Sequence, residues 1–158
     1  MNLSIRNADR SDYESLLPLF RQVHELHVCA RPDLYLVNST PVGQEVFESQ
    51  LVDDQQHIFV ANIGIEIVGI VVMKEEEITE NSFVKAGKVL VINSLCVAET
   101  QRNKGIGKRI MQYVIEFGRS LKVDRIELGV LEKNSPAIEF YQSIGMTTKS
   151  RKMEFLMN

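Results

Sequence analysis

The chain of 158 residues contains only two cysteines, Cys29 and Cys96, too few for a disulfide framework, which points to a reducing compartment. It has no apolar run approaching the roughly 18–20 residues that a membrane-crossing helix needs. Its first residues, Met1 to Arg6, lack the apolar core of a signal peptide. Neither sign of charge is in excess: 18 basic side chains stand against 21 acidic ones, for a formal net charge of −3. A dedicated nucleic-acid binder usually has a pI above about 9. No internal repeat, low-complexity tract or Gly/Ser-rich linker divides the sequence. These absences argue against disulfide-stapled, membrane-spanning and polyanion-binding classes. They leave an expectation of one cytoplasmic domain, residues 1–158, with no nucleic acid or membrane as partner. A chain of this size buries about 70% of its extended surface, enough for a core without staples.

Against the even charge stands one local exception. Between Thr100 and Ile115 lie four cations, Arg102, Lys104, Lys108 and Arg109, and no acid. The surrounding pattern places this cluster. Leu3 and Ile5 alternate with polar neighbours as in a short strand. Ser11 followed by Glu14 reads as a capping box opening a helix, which Pro18 should bend or break. A second short helix carries Val46, Phe47 and Leu51, beyond a loop from Ala30 to Val42. The dense β-branched stretch from His57 to Met73, with Asn62 and Gly64 between its halves, predicts a hairpin. Lys88 to Ala98 predicts a strand buried on both faces. Ile106, Ile110, Met111, Val114, Ile115, Gly118 and Leu121 then recur at helical spacing. Arg125 to Leu131 predicts a strand, Ser135 and Pro136 open a last helix that Gly145 closes, and Thr147 to Met157 reads as a final strand or short pair. The fold class is α/β (α+β).

The cations therefore sit in a glycine-containing turn, Glu99 to Lys108, between a strand and a helix. Glycines let a backbone come close to a ligand. The free N–H groups of a first helical turn, with the helix dipole, attract an anion. Cations at that end oppose the dipole, so helix stability alone would not put them there; an anionic ligand resolves the conflict. Two common phosphate motifs fail. A dinucleotide fingerprint lacks its third glycine, since Gly105-Ile106-Gly107-Lys108-Arg109 runs into Ile110. A P-loop fails because Gly107-Lys108 is followed by Arg109, and Arg102 stands where its first glycine belongs.

What fits is Arg102-Asn103-Lys104-Gly105-Ile106-Gly107, an R-x-x-G-x-G pattern. About 30 residues on, Asn134-Ser135-Pro136-Ala137-Ile138-Glu139-Phe140-Tyr141 and then Gly145-Met146 make an N-x-x-A-x-x-x-Y run closing on glycine. In these two motifs, and in the order of its elements over nearly the whole length, the chain resembles the GNAT superfamily of acetyl-CoA-dependent N-acetyltransferases. The resemblance implies a mixed central sheet of six to seven strands with four helices, splayed between the fourth and fifth strands. It implies acetyl-CoA as acetyl donor, no metal, and transfer to a primary amine by direct attack in a ternary complex. Backbone amides of Arg102, Asn103, Lys104, Gly105, Ile106, Gly107 and Lys108 would cradle the pyrophosphate, and Leu95, Cys96 and Val97 would pair with the pantetheine arm. Asn134, with Ala137 of the same motif, would hold the cofactor, and one backbone N–H near Leu95 or Cys96 would polarise the acetyl carbonyl.

Tyr141 would protonate the departing thiolate as general acid, or else simply pack on the core-facing stripe. The position where many relatives carry an acidic base holds Asn93, with Ser94 beside it; either could hold a water. Glu75, His24 and His27 are the other base candidates. His24-Glu25-Leu26-His27-Val28 is no zinc helix, because Val28 stands where the second histidine belongs, and His27 reads more simply as a packing histidine. His24, His27, Arg31 and Tyr35 could touch the acceptor, since the first helices wall that pocket in this fold. Cys96, on an apolar strand, reads as an inert thiol. The acceptor could be a small molecule or a polypeptide N-terminus or lysine. A non-catalytic CoA-binding sensor is the alternative of another class. The resemblance also implies a homodimer, in which a second copy could complete the sheet edge.

Overall fold

The computed structural model describes residues 2–158. In chain order the elements are β1 (Leu3–Asn7), α1 (Tyr13–Ala30), α2 (Gln44–Val52), β2 (Gln56–Ile63), β3 (Glu66–Ile78), β4 (Gly87–Val97), α3 (Ile106–Ser120), β5 (Arg125–Leu128) and α4 (Ser135–Ser143). Short 3-10 turns lie at Arg10–Asp12 and Glu99–Gln101. The strands form one sheet in the order β1-β2-β3-β4-β5, antiparallel throughout except for β5, which runs parallel to β4. That parallel step is the right place for a helical crossover, and α3 supplies it.

Among the described residues the sheet has five strands, fewer than the six to seven expected. The shortfall lies after α4: the segment from Thr147 to Met157 forms no strand. Side chains rather than backbone hold it, with Lys149 on Glu127, Arg151 on Glu132 and Glu154 on Arg31. Its alternating apolar residues Met153, Phe155 and Met157 are 87–90% exposed, so the strand pattern is present but nothing covers it. β5 is also shorter than expected, stopping at Leu128 rather than Leu131.

Two apolar layers sandwich the sheet. On one face α3 buries Ile106, Ile110, Met111 and Val114 against Phe59, Val71, Met73, Leu90 and Ile92. On the other, α1 and α2 cover Ile58, Val60, Ile70, Val72 and Cys96. The short α2 docks through Phe47, fully buried with its ring 5.7 Å from Tyr13 and 6.1 Å from Phe20. Cutting such a ring back to alanine typically costs about 3–5 kcal/mol. The capping box lies two residues before Ser11: Asp9 and Asp12 form it around the 3-10 turn Arg10–Asp12, α1 follows from Tyr13, and Arg6 grips the Asp12 carboxylate at 2.8 and 2.9 Å. Pro18 does not end α1, because it sits on the exposed side, where the carbonyl it leaves unpaired can meet water.

Candidate active site

The site begins where β4 and β5 part. Their pairing runs from Val89 with Arg125 to Ile92 with Leu128 and stops there, while β4 continues to Val97. At the next residue the register of β4 against β3 slips: Met73 faces Ile92 and Val72 faces Ser94, leaving Asn93 as an exposed bulge. A bulge turns the strand over. Before it, Leu90 and Ile92 point to the α3 layer; beyond it Leu95 and Val97 do, while Cys96 joins the α1 layer. The Ala98 N–H donates to Val68 O on β3 at 2.8 Å. By strand alternation the backbone groups of Cys96 share that direction, and those of Leu95 and Val97 face the side that β5 has vacated. The result is a short open edge in the middle of the sheet, next to a bulge.

This edge leads directly into the cationic turn. Asn103 has φ of 64° and Gly105 has φ of 77°, two left-handed residues that reverse the chain and start α3. Gly105 is the N-cap and makes no side-chain cap. The first intrahelical bond runs from the Arg109 N–H to Gly105 O at 3.1 Å. The N–H groups of Ile106, Gly107 and Lys108 therefore have no helical partner. The first turn holds no acid, and Arg102, Lys104 and Lys108 flank it. The two glycines are required for different reasons. A Cβ on Gly105 would meet nothing within 4 Å, so the need there is conformational. A Cβ on Gly107 would lie 3.2 Å from the Phe140 ring, so Gly107 permits α3 to approach α4. That packing role was not legible in the motif.

α4 carries the second cluster. Asn134 is its N-cap, one residue earlier than Ser135, and its Oδ1 accepts from the Ala137 N–H at 3.3 Å. This leaves its amide NH2 uncommitted. Tyr141 is half-buried against the α3 layer, with its ring 5.2 Å from Phe140. Burial raises its phenol pKa, and nothing among the described residues hydrogen-bonds to counter that, so the hydroxyl stays protonated at neutral pH. Cys96 is likewise protonated: burial pushes its thiol up to about 12, despite the Arg102 charge.

The base candidates are sorted by position. Glu75 lies at the far end of the sheet, opposite Leu90, bound to His57 Nε2 at 2.6 Å and Lys88 Nζ at 2.9 Å. Lys88 also donates to Leu121 O, at the C-terminal end of α3. The anion turn is at the other end of that 15-residue helix, about 20 Å away at 1.5 Å per residue. Glu75 is thus not brought to the site. His24, His27 and Tyr35 do come together: His27 stacks on Tyr35 with centroids 5.0 Å apart, and His24 meets the same ring edge-on at 6.4 Å. Desolvation, with the neighbouring His24, lowers the His27 pKa and keeps its ring neutral. Arg31 is committed to Asp33 at 2.7 Å and to Glu154 at 2.6 Å. No group of His, Cys, Asp and Glu among the described residues is arranged to hold a metal.

One residue that sequence reading missed is Gln22, on α1. Its Nε2 donates to Val97 O at 2.8 Å and its Oε1 accepts from the Glu99 N–H at 3.1 Å. Nothing in the local sequence marks it, because its partners lie 75 and 77 residues away.

A sheet opened at a bulge, with an uncapped helix start at the end of the open strand, is the architecture of an acyltransferase. The chain belongs to the acetyltransferase (GNAT) family, whose sequence model matches residues 20–146. It is 30% identical to the L-amino acid N-acetyltransferase AaaT of Escherichia coli K12, over 89% of this chain and 80% of that protein. It is 25% identical to an uncharacterised N-acetyltransferase of Methanocaldococcus jannaschii, over 92% of this chain but 61% of that one. Among solved structures, a mutant of the BH1408 protein from Bacillus halodurans superposes with a TM-score of 0.95 at 31% identity, covering 98% and 99% of the two chains. An aminoglycoside acetyltransferase from a soil metagenome shares the fold, with a TM-score of 0.72 at 19% identity.

Proposed function

We propose that the protein transfers acetyl from acetyl-CoA to the primary amine of a small molecule, by direct attack in a ternary complex, as a single domain spanning residues 1–158. The observation that carries this is the continuity between the open edge at Leu95 and Val97 and the unpartnered N–H groups of Ile106, Gly107 and Lys108. An extended arm ending in a pyrophosphate needs that sequence of groups. A thioester is already activated, so the chain has to orient an amine, remove its proton and stabilise an oxyanion.

By alternation the Leu95 N–H is the donor that faces the acyl carbonyl, with Val97 pairing further along the arm. Arg102 to Lys108 take the pyrophosphate, with Asn134 contributing its free NH2 and Ala137 lining the α4 side. Tyr141, kept protonated by burial, hands its proton to the leaving thiolate. Asn93, exposed at the bulge, holds the water that accepts the amine proton. The neutral His27 with His24 and Tyr35 forms the acceptor wall, and Arg31 stiffens it through its ion pairs. A small amine is favoured over a polypeptide by the likeness to a relative named for L-amino acids.

A second reading is a CoA-binding sensor without turnover, favoured by Asn93 standing where a carboxylate base would serve. One experiment separates them. Acetyl-CoA should raise the melting temperature where ATP and NAD do not, and a panel of amines should release free thiol with at least one member. Stabilisation without thiol release from any amine leaves the sensor; stabilisation by ATP or NAD instead removes both readings.

The proposal includes cytoplasmic residence and a second copy of the chain as partner. The exposed apolar side chains of Met153, Phe155 and Met157 support the latter. A single-copy mass by light scattering at micromolar concentration rejects the dimer.

A further inference from the structure

Within one turn of α1, three side chains tie down different parts of the molecule. Arg21 Nε donates to Ser39 O at 2.6 Å, and the His24 ring lies 2.5 Å from Leu36 O; both hold the loop that leads from α1 to α2. Between them Gln22 turns the other way, to the end of β4. Its amide spans two backbone groups two residues apart, an acceptor at Val97 and a donor at Glu99. Each has a physical need for a partner. Val97 O faces the side that β5 has vacated. The Glu99 N–H opens the 3-10 turn Glu99–Gln101, whose N-cap, Ala98, has no side chain able to cap it. Gln22 is half-buried, and its Nε2 also lies 3.1 Å from Cys96 Sγ. At neutral pH a primary amide donates and accepts from adjacent atoms. Neither a carboxylate nor an apolar chain of the same length replaces it.

We infer that Gln22 is a positioning residue for the donor half of the site: it sets the angle at which the chain leaves β4 and enters the Arg102–Gly105 turn, and links that turn to the helix that walls the acceptor. The inference rests on the acetyl-CoA reading above and adds to it a residue outside both family motifs. Free to tilt, the 98–105 segment would present the N–H groups of Ile106 to Lys108 and the Val97 edge in several relative orientations. A ligand that must contact both at once then binds only the fraction of molecules in the matching orientation.

The test compares Gln22→Leu, Gln22→Glu and wild type by calorimetric titration with CoA, alongside unliganded melting temperature and thiol release. Gln22→Leu keeps the packing and removes both hydrogen bonds. The expected result is a five- to twentyfold weaker CoA affinity, with a matching rise in KM for acetyl-CoA. At saturating donor kcat should change less than twofold, and the unliganded melting temperature should stay within a few degrees of wild type. Gln22→Glu at pH 7.5 sets a carboxylate against Val97 O and should bind CoA more weakly than Gln22→Leu. Towards pH 5 its protonated fraction regains a donor, and its affinity relative to wild type at the same pH should recover, which a simple packing role would not produce. CoA affinity in Gln22→Leu equal to wild type overturns the inference and leaves the acetyl-CoA reading intact. Wild-type protein that binds no CoA overturns both.

Discussion

The two ends of α3 are both crowded with charge, yet they treat it in opposite ways. At the C-terminal end Lys88 donates to Leu121 O, where a cation suits the helix dipole, and also meets Glu75, which in turn holds His57. The His57 ring packs edge-on against Phe117 at 4.8 Å. Glu75, Lys88 and His57 are thus all partnered within the protein. At the N-terminal end three cations surround a helix start that already carries partial positive charge, with no acid and no cap. The first arrangement is complete as it stands; the second leaves the N–H groups of the helix start without a partner, which the proposed anion would supply. Charge count does not separate the ends. Internal satisfaction does, and it is why the N-terminal end is the one proposed to bind.

The largest effect should come from placing a carboxylate in the unsatisfied end. Gly105→Glu adds a Cβ at a φ of 77°, where L side chains are strained, though the space around it is open. The fold should persist and CoA affinity should fall at least a hundredfold by calorimetry. Gly107→Glu is the less informative substitution, because its side chain strikes Phe140 and mixes packing damage with electrostatics. If Gly105→Glu binds CoA normally, the helix start is not the anion site and the contrast between the two ends fails.

Next in size is Tyr141→Phe, which leaves both ends of α3 intact and removes one half-buried hydroxyl on α4. Loss of a positioned general acid typically costs about a hundredfold or more. Here kcat should fall by about that factor while CoA affinity stays at the wild-type value. Full activity in the variant would return Tyr141 to a packing role.

The satisfied end should respond in stability instead. Burial by itself would raise the Glu75 carboxyl, but Lys88 and His57 together hold it below the usual carboxylate range. A depressed folded-state pKa means that the stabilisation is present above the unfolded carboxyl value, about 4.3, and is lost as pH falls through the folded value. Gln at this position keeps the shape, removes the charge and leaves Lys88 half-buried without its counter-ion. Glu75→Gln should therefore cost about 1–3 kcal/mol in urea unfolding at pH 7, with the difference from wild type shrinking below pH 4. CoA affinity should not change. A loss of affinity without a loss of stability would mean that the two ends are not independent.

Much of the structure around the proposed binding end was legible in the residues alone, and the reason is locality. The anion turn, its two glycines and the helix after it occupy consecutive positions, so spacing reports geometry directly. The hairpin through Gly64, the α3 stripe and the α4 start were legible for the same reason, each to within a residue or a turn. What the residues concealed depends on distant pairing. Asn93 looks like a weak substitute for a base until the register of β4 against β3 shows it to be the bulge that opens the edge. Glu75, one of three adjacent glutamates, reads as a candidate base until β2 and β4 bring His57 and Lys88 to it, away from the site. Gly107 answers to a ring 33 positions later, and Gln22 to backbone 75 positions later. The tail misled in the other direction: its alternation is that of a strand, but a strand also needs a neighbouring edge.

The smallest effect sharpens the comparison most, because it separates the cations of the turn from its backbone. Lys104 is exposed and hydrogen-bonds Gln101 at 3.0 Å, so water and salt screen its pull on a bound anion. The N–H groups of the α3 start are fixed in direction by the helix and are hidden from salt once a ligand covers them. Lys104→Ala should weaken CoA binding by only about threefold at low ionic strength, and the difference should vanish near 0.5 M salt, where the Debye length is only a few ångströms. The Gly105→Glu loss should survive the same salt, because it strains the turn and blocks the approach as well as repelling charge. If removing Lys104 instead costs as much as Gly105→Glu at every salt concentration, the lysine is a fixed ligand contact. The unsatisfied end would then owe its affinity to a side chain reaching in, rather than to the backbone that the two left-handed residues expose.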